Sequence, residues 1–394
     1  MHVVCNSGML GEALHKVSRF TASKSHGIKS ILECVLLNGH DETLDIAAYH
    51  DLSNTYVQLS IPVIAVKEAG SIAVPAHYIT PLVNEYPKHA SIELKCSNSG
   101  ELLVTVDEEG SEHSFPIIPS DEFPSILSHM TPKAHFSTSA QMLSRIFKCT
   151  AFATSDLFYP VVYITQKEPS YIDFVATDTY RMSLVKLPCD GSDASLPIPI
   201  SVNGVVISKL ISILQNMSGN VIVTATERLA RISSESFLCI TSNETVEFPD
   251  YTRILFQQPL WELTVDTKAL MRAVESVKPH LDTYSPFIFL SFTPDKPQTL
   301  IVQGKSEDWG YGKTACPVSE YKSEINTSFK VSLNASLILD FLKRVNTRYI
   351  QILSQDPNPI IKTPILMQPL DMPDFQWAFY IMPAHLDESE NNTS

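Results

Sequence analysis

A threefold internal repeat constrains this chain of 394 residues more than any other feature of its sequence. An acid–apolar–proline triplet occurs at Glu122–Pro124, at Glu247–Pro249 and at Asp371–Pro373. Proline fixes φ and removes a backbone donor, so each triplet is typical of a strand end or a turn beside a sheet. The near-constant spacing of the triplets predicts three related domains of ordinary size rather than one large core.

Two helical patterns recur in the same order within each third. The first pattern places residues on one helix face at Leu10, Leu14 and Val17, at Leu143, Phe147 and Thr150, and at Leu270, Val274 and Val277. The second pattern comes later in each third, at Ile79, Leu82, Val83 and Tyr86, at Ile207, Leu210, Ile211 and Leu214, and at Ile338, Phe341, Leu342 and Val345. Each second helix is followed by a short alternating strand, at 91–94, 221–224 and 349–352.

Alternating apolar and polar runs with turn residues fill the rest of each third. Their period of two and their β-branched content indicate antiparallel strands joined by hairpins. We predict an α+β fold made of three tandem copies of one domain, each with two helices on antiparallel sheets. The predicted domains are residues 1–132, 133–259 and 260–386, and the acidic residues 387–394 are predicted to form a disordered tail.

The cysteines and the hydropathy pattern argue against several classes of protein. Seven scattered cysteines form no CxxC pair, and the 12 histidines show no paired metal spacing, so we expect no disulfide framework, metal site or cofactor. The N-terminus lacks the pattern of a signal peptide, and no uncharged apolar stretch is long enough to cross a bilayer. These features favour a cytoplasmic protein that does not bind a membrane.

The net charge of −14 argues against a protein whose whole surface binds nucleic acid. The predicted helices have the opposite balance, with ten of the 29 basic residues and only four of the 43 acidic residues. Each lysine, taken alone, is more simply explained as solvated helix surface. As a set, the basic helices of an acidic chain predict sequence-independent contact with a phosphate backbone. The ten are Lys16, Arg19, Arg145, Lys148, Lys209, Lys268, Arg272, Lys278, Lys343 and Arg344.

Several segments resemble the bacterial DNA polymerase III beta subunit family, the sliding clamps, along nearly the whole chain. Ala176–Met182 (ATDTYRM) is similar to the family's ATDGHRL, and Glu247–Leu255 (EFPDYTRIL) is similar to RFPDYRRVL. The ending Tyr380–Leu386 (YIMPAHL) is similar to VVMPMRL, and Val74–Ala76 and Glu122–Pro124 match as well. The resemblance implies three clamp domains per chain and a head-to-tail homodimeric ring that encircles DNA without catalysing a reaction.

The resemblance also implies two sets of functional residues. Double-stranded DNA would be contacted, without sequence preference, by Lys16, Arg19, Lys24, His77, Arg145, Lys148, Tyr159, Lys209, Arg272 and Lys343. Short linear motifs of the polymerase, the clamp loader and repair proteins would bind a pocket between the second and third domains. That pocket would be formed by Val161, Thr177, Thr179, Tyr180, Arg181, Met182, Pro249, Arg253, Ile254, Asn334, Leu337, Ile381, Met382, Pro383 and Leu386. Its aliphatic, methionine, arginine and asparagine side chains suit an extended peptide.

The chain departs from the family pattern at some positions, which leaves alternatives open. Thr179 replaces a glycine, and Lys278 and Pro279 lie near the place where the family uses apolar dimer contacts. A second hypothesis is therefore a clamp-derived scaffold that binds partner proteins and no longer encircles DNA. An enzyme is the weakest hypothesis, because Asp308–Thr314 lacks the first glycine of a P-loop and no nucleophile elbow is present.

Overall fold

The structure of the chain is a computed structural model. It describes residues 1–22, 31–97, 100–106, 110–124, 130–190, 194–256, 258–323, 328–356 and 363–384. The chain divides into two compact units. Unit 1 combines Met1–Arg145 with Gly191–Thr245, and unit 2 combines Ile146–Asp190 with Val246–Ser394. The three predicted domain ranges stay a prediction.

Six α-helices occur within the described ranges. They are α1 (Ser7–Val17), α2 (Ala76–Glu85), α3 (Ala140–Thr150), α4 (Gly204–Leu214), α5 (Thr267–Val277) and α6 (Ala335–Leu342). Four contain the whole of a predicted helical pattern. The other two end before the last residue of theirs, Tyr86 after α2 and Val345 after α6. Five of the six helices begin after a side chain that accepts a backbone N–H of the first turn, which satisfies a donor that the helix itself cannot pair. These residues are Asn6, Ser139, Asn203, Asp266 and Asn334.

Strands occupy most of the remaining described residues. The first third contains β1 (His2–Asn6), β2 (Cys34–His40), β3 (Thr43–His50), β4 (Thr55–Pro62), β5 (Ala65–Glu68), β6 (Gly70–Pro75), β7 (Ser91–Cys96), β8 (Glu101–Val106) and β9 (Ser111–Pro116). The second contains β10 (Ala134–Ser139), β11 (Val161–Glu168), β12 (Tyr171–Thr177), β13 (Arg181–Pro188), β14 (Ala194–Ser195), β15 (Ile200–Asn203), β16 (Asn220–Ala225), β17 (Leu229–Ser233) and β18 (Phe237–Ser242). The last contains β19 (Trp261–Asp266), β20 (Phe287–Phe292), β21 (Thr299–Ser306), β22 (Gly310–Ser323), β23 (Phe329–Asn334), β24 (Tyr349–Ser354), β25 (Ile365–Pro369) and β26 (Gln376–Ile381).

The order of these elements repeats three times. Each third has a strand and a helix, a run of strands, a second strand and helix, and then three strands. The first strand of each third pairs antiparallel with the strand that follows its second helix, as β1 with β7, β10 with β16, and β19 with β24. The predicted α+β class with antiparallel sheets is confirmed, and so are the three predicted strands that follow the second helices.

Sheet pairing explains why the compact units differ from the repeats. Unit 1 has one sheet in the order β5-β1-β7-β8-β9 and another in the order β14-β10-β16-β17-β18-β4-β3-β2-β6. The sheet of unit 2 contains the order β11-β12-β13-β26-β25-β24-β19-β22-β21-β20-β23. The ladder between β4 and β18 joins the first and second thirds, and the ladder between β13 and β26 joins the second and last thirds.

Burial agrees with the helical patterns. Leu10, Leu14 and Val17 on α1 are fully buried, and so are Leu270 and Val274 on α5. The seven cysteines are free thiols. None of the helices in the part of the chain that the structure describes is long and apolar enough to span a bilayer.

Candidate partner-binding and DNA-binding sites

The ladder between β13 and β26 is the centre of the candidate partner-binding site in unit 2. Its register pairs Arg181 with Ile381 and Met182 with Tyr380. Because successive side chains of a strand point to opposite faces, Met182 and Tyr380 lie on one face of the sheet, and Arg181 and Ile381 lie on the other. We call the first of these surfaces the Tyr380 face. The predicted pocket residues Met182 and Ile381 therefore belong to opposite faces.

The Tyr380 face is covered by residues 246–256, which link the second and last thirds. Tyr251 of this segment is buried, and its hydroxyl donates a hydrogen bond to Asp173 Oδ2 at 2.6 Å. Burial raises the pKa of Asp173 above its ordinary value. Phe248 stacks on Tyr163 with ring centroids 4.6 Å apart. Tyr251 belongs to a cluster of buried side chains, and Phe248 and Tyr163 pack against that cluster. Its members are Val175, Met182, Leu184, Tyr251, Leu353, Leu366 and Tyr380.

On the opposite face, the Arg181 side chain links the start of β13 to α6 and to the residues after α3. Its Nε donates to Asp178 Oδ2 at 2.8 Å, and its Nη1 donates to Asp340 Oδ2 at 2.9 Å. Its Nη2 donates to the backbone oxygen of Phe152 at 2.7 Å. The guanidinium of Arg344 lies 4.4 Å from the centre of the Phe152 ring. A guanidinium that is only 9% exposed is thus compensated by two carboxylates and a carbonyl.

The turn between β12 and β13 presents one aromatic side chain to solvent. Thr177 Oγ1 donates to the Arg181 carbonyl at 2.7 Å and accepts the Thr179 N–H at 3.1 Å. Thr179 has a φ of +76°, a conformation that favours glycine, so the threonine is strained at this position. Tyr180 is 66% exposed, and its carbonyl accepts the Met382 N–H at 2.9 Å. The turn therefore places an exposed Tyr180 directly beside Met382.

The remaining pocket candidates also lie in unit 2, with different degrees of exposure. Asn334 is the N-cap of α6, where its Oδ1 accepts the N–H groups of Ser336 and Leu337. The exposed candidates are Thr179, Tyr180, Pro249, Arg253 and Ile254, and the half-buried ones are Asn334, Leu337 and Met382. The buried ones are Val161, Thr177, Arg181, Met182, Ile381 and Pro383. Leu386 lies outside the described residues.

Two of the DNA-binding candidates in unit 1 lie close together. Arg19 follows α1, and its Nη1 donates to Ser212 Oγ of α4 at 2.6 Å. One turn earlier on α4, the Lys209 ammonium lies 5.3 Å from the centre of the Phe20 ring. Burial, and secondly the charge of Arg19, lowers the pKa of Lys209 below its ordinary value. Lys16 is 2.6 Å from Glu12, so part of its charge is neutralised on the same helix.

The other DNA-binding candidates are spread over both units. In unit 1, Arg145 is exposed on α3, and His77 on α2 has its ring centre 4.1 Å from that of Tyr78. In unit 2, Tyr159 packs on Phe248 at 5.5 Å. The remaining candidates in unit 2 are exposed, namely Lys148, Arg272 and Lys343, and Lys24 lies outside the described residues.

The comparisons of this sequence with known proteins all find proteins of one family. The profile of the DNA polymerase III beta subunit, N-terminal domain, matches residues 1–127. A beta sliding clamp of Synechococcus elongatus is 24% identical over 378 residues, which cover 93% of this chain and 96% of the relative. A beta sliding clamp of Chlamydia muridarum is 23% identical and covers 92% of this chain and 95% of its own length. The chain is thus similar to beta sliding clamps over nearly its whole length, and its first 127 residues match the DNA polymerase III beta subunit profile.

Solved structures show that this chain has the fold of the sliding clamps. A Pseudomonas aeruginosa DnaN sliding clamp bound to griselimycin superposes with a TM-score of 0.85 at 20% identity, over 98% of this chain and all of that one. The Thermotoga maritima beta subunit superposes with a TM-score of 0.82 at 20% identity, over 98% of this chain and 99% of that one. At 20% sequence identity, the two superpositions establish the fold of the chain.

Sequence reasoning missed several residues that the structure brings to the candidate pocket. Tyr380 precedes Ile381 in the terminal motif, and strand alternation relative to Met182 identifies it as the residue on the shared face. Leu366 reaches the same cluster from β25, and Asp340 reaches Arg181 from α6. For these two no local sequence signal exists, because their contacts depend on strand pairing and helix packing between distant parts of the chain.

Proposed function

We propose that the chain is a sliding clamp that encircles duplex DNA and tethers the replicative polymerase, without catalysing a reaction itself. The observation that carries the proposal is the similarity to proteins named beta sliding clamp over nearly the whole of both chains. A clamp acts by topology, so its function needs a closed ring and a charged inner surface rather than a reactive group. The proposed form is a head-to-tail homodimer in the cytoplasm, since a heterologous interface of the right rotation closes into a ring.

The proposed DNA contacts are electrostatic and independent of sequence, as sliding requires. Arg145 on α3 and Arg272 on α5 are exposed on helices whose apolar faces are buried. Arg19 and Lys209 form a second group of positive charge between α1 and α4. Many such contacts with phosphates give binding that weakens steeply with salt and does not fix one position on the duplex.

The proposed partner site is the surface of unit 2 where the exposed Tyr180 turn meets Met382 and the segment with Ile254. The site offers an exposed aromatic ring, a flexible thioether and an aliphatic side chain to apolar anchors of a peptide. Arg181 does not face solvent and instead positions the Tyr180 turn through Asp178 and Asp340. The proposed ligands are short linear motifs of the polymerase, the clamp loader and repair proteins.

A double dissociation tests the two surfaces. We expect Arg145→Glu combined with Arg272→Glu to weaken retention on DNA by at least about tenfold at low salt, because each reversal replaces an attraction to phosphate with a repulsion. The same variant keeps its affinity for a fluorescent clamp-motif peptide, measured by anisotropy. Met382→Ala is expected to do the reverse, with weaker peptide binding and unchanged DNA retention.

Two outcomes would contradict the division between the surfaces. Equal peptide affinity of Met382→Ala and the wild type would remove the partner site from this surface. Loss of peptide binding in the double charge-reversal variant would show that the two functions are not separate. The scaffold hypothesis makes its own prediction, a monomer by light scattering that binds the peptide and is not retained on DNA.

A further inference from the structure

The Tyr380 face continues past the candidate pocket into a cavity of about 480 Å³. Leu184 and Ala378, which are paired across the ladder between β13 and β26, both line it. Ala378 lies between Gln376 and Tyr380 along the same face of β26, and it contributes only a methyl group to the lining.

The walls of the cavity combine apolar and amide groups with two charged side chains, those of Lys186 and Asp371. Phe256 and Tyr380 form one side, with their rings in edge-to-face contact at 5.7 Å. The side-chain amides of Gln368 and Gln376 also line the space. The volume falls within the roughly 300–1,000 Å³ of ligand pockets, which are mostly apolar with a few polar groups.

The cavity and the proposed partner site are continuous. Leu184 follows Met182 on the same face of β13, and both belong to one buried cluster with Tyr380. Leu255, which lines the cavity, directly follows the exposed Ile254 of the partner site. A peptide bound at Ile254 and Met382 thus has an adjacent hollow within reach of its next residues.

We propose that this cavity is an additional subsite for partner peptides, which receives a large apolar side chain from the residues that flank the linear motif. The inference rests on the proposed partner site. An aromatic side chain buries about 150–250 Å² and suits a hollow bounded by Phe256, Tyr380 and Leu184. The Gln368 amide nitrogen already donates to Gln351 Oε1 at 2.8 Å. The Gln368 amide oxygen and the Gln376 amide can pair with the peptide groups beside that side chain.

The test compares a fluorescein-labelled clamp-motif peptide with versions that carry a tryptophan beyond either end of the motif. In the wild type we expect one extended peptide to bind about tenfold more tightly than the short one. Ala378→Leu narrows the cavity beside Leu184, where the added side chain would lie, and is expected to abolish this gain while the short peptide binds as before. Ala378→Ser, which adds little volume, is the matched control and keeps the gain.

The experiment can contradict the proposed subsite and still support the proposed partner site. If the short peptide binds and neither extension adds affinity, or if the gain survives Ala378→Leu, the subsite is wrong and the partner site stands. If the short peptide does not bind the wild type, the partner site fails and the subsite fails with it. Thermal melts verify that Ala378→Leu is folded.

Photocrosslinking of the wild type keeps the test independent of that variant. A benzophenone in place of the added tryptophan is expected to form adducts with residues that line the cavity, such as Phe256, Leu366 and Met372. Adducts confined to other surfaces would contradict the subsite.

Discussion

Two strand ladders occupy corresponding places in the repeat and have different side-chain chemistry. In unit 1, β4 of the first third pairs with β18, the last strand of the second third. In unit 2, β13 of the second third pairs with β26, the last strand of the last third. The phenylalanine in the middle of an acid–apolar–proline triplet packs over each ladder. Phe123 belongs to the cluster with Tyr56 in unit 1, and Phe248 packs on the Tyr380 face in unit 2. The backbone arrangement of the two ladders is therefore shared.

The difference lies where each ladder ends. In unit 1 the end is closed by buried hydroxyls, with Thr55 Oγ1 2.7 Å from Thr241 Oγ1 and 2.9 Å from Ser53 Oγ. In unit 2 the corresponding place is held by Arg181 with its carboxylate partners Asp178 and Asp340. Neutral hydroxyls satisfy one another and form a closed junction. Arg181 instead holds a turn from which Tyr180 extends into solvent. Of the two ladders, the one between β13 and β26 in unit 2 is therefore the candidate docking surface.

The largest expected effect comes from breaking the Arg181 junction. Arg181→Ala is expected to destabilise unit 2 by about 3 kcal/mol, the lower end for breaking a buried ion pair, because Asp340 is nearly half exposed and water can solvate it. The measurement is urea unfolding followed by tryptophan fluorescence. That signal reports unit 2, since Trp261, Trp309 and Trp377 all belong to it.

The matched control for Arg181 is the exposed pair of Arg253 with Asp250, 3.1 Å apart. Arg253→Ala is expected to leave the unfolding midpoint unchanged, because exposed ion pairs contribute little. Equal midpoints for Arg181→Ala and the wild type would show that Arg181 does not hold the junction.

A smaller effect is expected from opening the hydroxyl junction of unit 1. Thr55→Val leaves the buried hydroxyls of Ser53 and Thr241 without their shared partner, at a cost of about 2 kcal/mol. The loss is expected in the circular-dichroism transition and not in the tryptophan transition, and peptide affinity is expected to stay the same. Thr55→Ser keeps the hydroxyl and serves as the control. A weaker peptide affinity in Thr55→Val would contradict the assignment of docking to unit 2 alone.

The smallest effect is a difference in acid sensitivity between the units. Hydrogen bonds from Lys67, and secondly from His2, lower the pKa of Glu93 in unit 1 from 4.5 to about 2. Glu93 therefore stabilises unit 1 above its unfolded pKa, and this contribution is lost as the pH falls from 4.5 to about 2. Asp173 in unit 2 contributes to the pH dependence of stability with the opposite sign. Its pKa is raised in the folded state, so the folded state binds the proton at a higher pH than the unfolded state and gains stability as the pH falls.

Acid titration of the urea midpoints by the two probes measures this difference. We expect unit 1 to lose stability relative to unit 2 over that pH interval. Glu93→Gln is expected to flatten the pH dependence of unit 1, and Asp173→Asn that of unit 2. Identical pH profiles of both units in the wild type would contradict the assigned groups.

Local periodicity was sufficient to predict the elements, and non-local pairing limited the prediction of the site. Each predicted helical pattern marks a helix, although Tyr86 and Val345 lie beyond the helix ends, because amphipathic spacing is a property of neighbouring residues. The face of Ile381 was not predictable in this way, since it depends on the register between β13 and β26. The partnership of Arg181 with Asp340 and the hollow above Ala378 arise from residues that are far apart in the sequence.

Topological retention on DNA is the most direct test of the proposed clamp. The chain is placed on nicked circular DNA by the clamp loader of its host, freed of unbound protein by gel filtration, and the circle is then cut by a restriction enzyme. We expect a dimer that stays with the circle and leaves once the DNA is linear, because a ring slides off a free end. Equal retention before and after cutting, or no retention on the circle, would contradict encirclement.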